Sequence, residues 1–356
     1  MNRRWICSDV WMDILPTFDR LQLGLKMALL SHRYDALVDA HFNGKTTEFT
    51  ISRQIIICKD NEMPKLFVEG KSEGFPMPDH PLPNKIRFKE IWIDYIDHSI
   101  ISFLRSNQHI WDRSGTKLDL SIENNALPIW VVFVSQIWPA FATNIRHLRF
   151  NGAVYLDNLL RLISPTILTD LIHLNAISSG SLCPVTIAAD DGPNPISAGQ
   201  ALAKWLHMPT KDGQPKRLRC CVTASTNFEW VNKFKEVFVR ARTSAVSYTI
   251  YIIFFVESTQ IMPFELVNER TKEKLTLKKM SRYASEWLMK RCPIIVGETA
   301  AVQWKNDEIS DANLNRLFFH LHGFPNCIGP LSPPANKSDE NVCSSTAGPS
   351  SDQRNE

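Results

Sequence analysis

Six short β-like runs lie at 51–57, 86–93, 118–122, 145–150, 218–222 and 248–256; 118–122 alternates apolar and polar residues with the two-residue period of a strand, and 248–256 is apolar nearly throughout and reads as a buried strand. Between them the period lengthens. Ala198, Ala201, Leu202, Trp205 and Leu206 fall three and four apart, which marks one buried stripe of a helix. Thr226 and Glu229 form a capping box ahead of Val231, Phe234, Phe238 and Ala241. Residues 130–141 are apolar nearly all round and predict a deeply buried helix. Residues 263–277 read as a hairpin, with 268–272 as its polar turn. Strands alternating with helices predict right-handed βα units and a largely parallel sheet, so the fold class is α/β.

Several strands begin with an L-x-x-L-x-L spacing: Phe88, Ile91 and Ile93, then Ile145, Leu148 and Phe150, then Leu171, Leu174 and Ala176. That spacing fits an irregular leucine-rich-repeat-like array, and equally an ordinary open α/β sheet. Ahead of this domain, residues 5–46 hold two or three short amphipathic helices. Ser8 is placed to cap the first, with Asp9 in its positive first turn. Val10, Trp11, Ile14, Leu15 and Phe18 form its stripe, and Pro16 limits its length. Asp19 and Gln22 have the spacing of an N-cap pair for a second helix bearing Leu21, Leu25, Met27, Ala28 and Leu29. Ser31 begins a third helix with Tyr34, Leu37, Val38 and Phe42, and Gly44 stops it. So short a unit cannot bury this much apolar surface within itself, so the excess meets either the rest of the chain or a partner.

Composition narrows the classes. Of 356 residues, 44% are hydrophobic, enough for a sizeable core, and 40 basic against 37 acidic residues leave a net charge of +3. So balanced a surface gives little drive towards nucleic acid or anionic membrane, and neither is expected as a partner. The eight cysteines contain no C-x-x-C pair and sit mostly in apolar segments, as reduced thiols do. No signal-peptide pattern, membrane-spanning run or lipidation motif is visible, and a cytoplasmic or nuclear location is the expectation. From 331 to 356 Ser, Pro, Asn, Asp and Glu dominate without apolar periodicity, which predicts a disordered tail.

Candidate chemistry is sparse. No nucleophile elbow, P-loop, G-x-G-x-x-G, H-E-x-x-H or calcium-loop string occurs. His320 and His322 with Cys327 lack a fourth zinc ligand, and read as histidines near a strand end. Asp190 and Asp191 stand before Gly192-Pro193, where adjacent carboxylates form turns rather than face one scissile bond. The basic stretch Lys211 to Arg219 contains Asp212, Gly213 and Pro215 and reads as a solvated turn. No catalytic residue, cofactor or metal is therefore expected, and the chain reads as non-catalytic.

The stretch from Ile6 to Phe18, followed by Asp19-Arg20-Leu21-Gln22-Leu23 and by Ser31 to Val38, resembles an F-box. Ile6-Cys7 stands where that motif usually has Leu-Pro, and Tyr34 where Trp is common. Leu23 to Ser31, Pro263 to Leu266, Glu273 to Leu277 and Trp287 to Ile294 look like an expanded nematode F-box family, a similarity covering residues 5 to about 305. The resemblance implies docking to the Skp-family linker subunit of an SCF-type cullin–RING ubiquitin ligase, with an α/β domain holding a target protein. The docking residues it implies are Ile6, Val10, Ile14, Leu15, Phe18, Leu21, Leu25, Leu29 and Tyr34. The resulting organisation is a helical docking module at 5–46, a recognition domain at 47–305, an extension at 306–330 and a tail at 331–356. A stand-alone scaffold with its N-terminal helices packed in cis is the rival, which the Ile6-Cys7 start favours. An unrecognised α/β hydrolase is a third reading that needs a cleft with convergent polar groups.

Overall fold

Strands and helices in the computed structural model follow the local signals closely where periodicity is clean. The structure describes residues 6–18, 22–43, 49–60, 63–70, 72–78, 80–83, 86–110, 115–122, 127–150, 153–180, 182–184, 197–210, 213–222, 229–242, 247–254, 261–280, 286–294 and 315–321. The chain is mixed α/β, and a 13-stranded sheet organises it. In chain order the strands are β1 (Phe49–Asp60), β2 (Met63–Val68), β3 (Phe75–Pro76), β4 (Ile86–Ile93), β5 (Thr116–Ile122), β6 (Ile145–Phe150) and β7 (Ala176–Ser179). They continue as β8 (Lys216–Val222), β9 (Tyr248–Phe254), β10 (Phe264–Asn268), β11 (Glu273–Lys279), β12 (Glu286–Pro293) and β13 (Asn315–Leu321).

Across the sheet the order is β10-β11-β12-β9-β8-β7-β6-β5-β13-β4-β1-β2-β3. The middle, from β1 and β4 through β13 and β5 to β9, is parallel throughout. Antiparallel strands close both ends, β2 and β3 at one and β12, β11 and β10 at the other. From β5 to β9 each strand lies beside its predecessor in sequence. Right-handed crossovers made in one direction along a sheet put their helices on one face. The alternation along β8 agrees: Leu218, Cys220 and Val222 are buried while Arg219 is exposed.

The intervening helices have local causes. Asp97 caps the helix His98–Ser106, accepting from the Ile100 N–H at 3.0 Å. Ser197 and Gln200 close a reciprocal capping box on Ala198–His207, whose five stripe residues are all buried. The helix Glu229–Arg240 buries Val231, Phe234 and Phe238; Thr226 of its expected cap lies outside the described residues. Gly115 opens β5 at a φ of +80, a conformation disfavoured for residues with a side chain.

Several expectations need correction. Residues 130–141 do not form one helix: an α-helix over Leu127–Val132 passes into a π turn at Phe133–Ile137 and a 3-10 turn at Trp138–Ala140. Pro139 supplies no N–H for the next helical bond, which ends the regular ladder there. At the N-terminus the cap position is Cys7, without a side-chain bond, and Ser8 is already helical. The second apolar segment is a π turn at Leu23–Met27 followed by a 3-10 turn at Ala28–Leu30, and Asp19 lies outside the described residues. The third helix is His32–Asn43, with Ser31 extended ahead of it.

The largest difference concerns the boundary drawn at residue 305. β13, assigned from sequence to an extension, lies between β4 and β5 and is paired along its length with β5. Phe319 and Leu321 are fully buried, and Phe319 meets Phe133 edge-on at 5.0 Å. Repeats in a solenoid contact only their sequence neighbours. A distant strand in the middle of the array departs from that rule. The tail at 331–356 lies outside the described residues.

Candidate functional site

In the N-terminal helices the described apolar residues divide into three sets. Leu15 and Leu25 are buried at 0% and 4% exposure, with Leu23, Val38 and Phe42 beside them in the core. Ile14, Phe18, Leu29 and Tyr34 are half-buried, and Tyr34 meets Trp11 edge-on at 5.1 Å. Ile6 and Val10 are open to solvent at 47% and 45%. Leu21 lies outside the described residues. Leu30, which the motif did not nominate, is the most exposed aliphatic among the described residues of the module at 64%.

Two contacts organise this surface. The Arg33 guanidinium donates to the Ile6 carbonyl, which draws the start of the first helix to the start of His32–Asn43. The Trp11–Tyr34 contact ties the same two helices one turn further on. Among the described residues of these helices, Ile6, Val10 and Leu30 are the large aliphatics left exposed, while leucines of the same helices are buried. The module also touches the sheet's edge hairpin: Lys26 Nζ stands 5.4 Å from the Phe75 ring, and the His32 and His80 rings are 5.6 Å apart.

Asp190, Asp191, His322 and Cys327 lie outside the described residues. His320 sits on β13 against Trp92, with ring centroids 4.7 Å apart. Among the described residues no three of His, Cys, Asp and Glu are grouped to hold a metal. Nor is any described helix long and apolar enough to cross a membrane.

A buried polar cluster went unread in the sequence. Lys216, placed there in a solvated turn, begins β8 and is 5% exposed. Its Nζ donates to the Trp205 carbonyl and lies 4.8 Å from the Trp205 ring; burial brings its pKa down to about 8. Beside it, burial lowers the pKa of His207, and the charges of Arg291 and Lys216 add to the effect. The His207 Nδ1 bond to the Ala203 carbonyl, 2.8 Å, opposes it. Burial also raises the Tyr248 phenol. Arg291 meets Glu273 at 2.6 Å, both being nearly fully buried. Arg291 and Glu273 pair with each other, while Lys216 and His207 are met by backbone carbonyls, and together they form a polar core. The signal for Lys216 was present in the sequence, since it leads the alternation Leu218, Cys220, Val222 two residues ahead.

Two surface grooves are lined by described residues. One, of about 590 Å³, runs between His98–Ser106 and Val132–Gln136, where Arg105 is fixed by donating to Gln136 Oε1 at 2.8 Å. The other, of about 520 Å³, lies where the helix Glu229–Arg240 ends over the turn after β10. Comparison with protein-family models, with curated proteins and with solved structures yields no match.

Proposed function

We propose that this chain is a non-catalytic protein-interaction adaptor, docking the Skp-family linker subunit of an SCF-type ubiquitin ligase through its N-terminal helices and a target through its sheet domain. The observation that carries this reading is the exposure of Ile6, Val10 and Leu30, in a module whose Leu15, Leu25, Val38 and Phe42 are buried. Exposed aliphatics on a rigid helical platform suit helix-against-helix docking. The F-box-like order of residues supplies the identity of the partner. The target-holding role needs no reactive group in this chain, because proximity is what it contributes. The leucine-rich-repeat-like reading rests on the consecutive parallel run β5 to β9 and its L-x-x-L-x-L residues.

A second reading has its own support. Lys26 against Phe75 of β3 and His32 against His80, just after β3, bring the same helices to that edge of the sheet, as a scaffold closed in cis would. The two readings separate in one experiment: co-expression of the full chain with a Skp-family linker subunit, followed by size-exclusion chromatography. The adaptor reading expects co-elution that Ile6→Asp with Val10→Asp abolishes without changing the circular dichroism. A wild-type chain that elutes alone sinks it and leaves the cis scaffold.

A further inference from the structure

The two ends of the sheet are built differently. At one end β3 is two residues long and finishes in Pro76, which blunts that edge. At the other, β10 runs five residues, pairs only with β11, and among the described residues has no backbone partner on its outer side. An unpaired edge of that kind is a template for another strand.

The surroundings of this edge select what could be added. Asn268 ends β10 and fixes the corner: its side chain donates to the Phe238 and Ala241 carbonyls at 2.8 and 3.0 Å, capping the helix Glu229–Arg240. It also accepts from the Arg270 N–H at 3.0 Å. The groove of about 520 Å³ lies between these elements, with exposed Val239 at 58% and Val267 at 48% on its walls. Met262, at 73% exposure, stands where β10 begins. Arg240, Arg242 and Arg270 line the same groove, and none has an ion-pair partner among the described residues. The one carboxylate in the lining, Glu269, is held by Lys272 at 3.0 Å.

We propose that the β10 edge takes up an extended acidic peptide segment of a partner protein, which adds as a further strand. Main-chain pairing supplies the register, aliphatic side chains of the peptide cover Val239 and Val267, and its carboxylates meet the arginines. This names the chemistry of the target in the adaptor reading and rests on that reading for its purpose. Peptide binding and linker co-elution are separate measurements, so either can fail alone.

The test is fluorescence anisotropy of the full chain with a labelled peptide of alternating valine and aspartate. Its controls are a valine–lysine peptide and a single-stranded oligonucleotide. The valine–aspartate peptide should bind and the valine–lysine peptide should not. Arg240→Glu with Arg270→Glu should weaken binding by about tenfold or more, as loss of charge-assisted bonds implies. Val267→Asp should weaken it further; all three positions are exposed, so folding should hold. Three results overturn the proposal: no binding by the valine–aspartate peptide, equal binding by the oligonucleotide, or self-association of the wild type that Val267→Asp abolishes. The last would make a second copy of the chain the occupant of the edge.

Discussion

Glu273 and Arg291 show what a single buried pair commits the chain to. With exposures of 2% and 4%, neither charge has water to fall back on. Removing the carboxylate in Glu273→Ala strands a buried guanidinium and should cost about 3–5 kcal/mol, read as a lower urea midpoint. His207 carries the same logic into pH. Burial holds its folded pKa below the ordinary value, so its contribution is complete above about pH 6.5 and fades as pH falls through it, because only the unfolded chain gains the proton. Unfolding free energy should therefore fall between about pH 7.5 and about pH 5.5, and His207→Leu should flatten that part of the slope. At this scale sequence is only partly informative: the alternation with Leu218, Cys220 and Val222 turns Lys216 inward, but its place against the Trp205 ring depends on a helix that its own neighbours do not specify.

Single elements were more legible. β4 and β6 carry the bounds that their alternation predicts, 86–93 and 145–150, and the hairpin of β10 and β11 turns where its polar residues stand. Periodicity succeeds where buried and more open residues alternate, as Leu148, Arg149 and Phe150 do in β6 and Ile91, Trp92 and Ile93 in β4. It fails for β7, four residues with only Ser178 half-exposed, and for residues 127–140, where an all-apolar run hides the change from α to π to 3-10 turns. Of the docking residues taken from motif order, burial separated Leu15 and Leu25 from Ile6 and Val10, a distinction that helical spacing alone does not make. β13 supplies the sharpest element-scale test. Phe319→Ala leaves a void beside Phe133 and Phe141 and should cost about 3–5 kcal/mol in chemical denaturation. A residue in a dispensable extension would cost nearly nothing.

Strand order belongs to the whole molecule, and no local pattern encodes it. The run β5 to β9 follows from short crossovers, but the place of β13 comes from the match of Phe318 and Phe319 to Trp92, Phe133 and Phe141 across residues far apart in the chain. That placement governs how the protein can be made. A nascent chain emerging from the ribosome can pair β5 with β6 and β4 with β1 early. The two blocks have no shared strand until residue 321 is out. Until then each block presents a bare parallel edge to the crowded interior of the cell. Synthesis of this protein should lean on chaperones that shield those edges, and translation stalled before residue 315 should release aggregating halves rather than a shorter working protein.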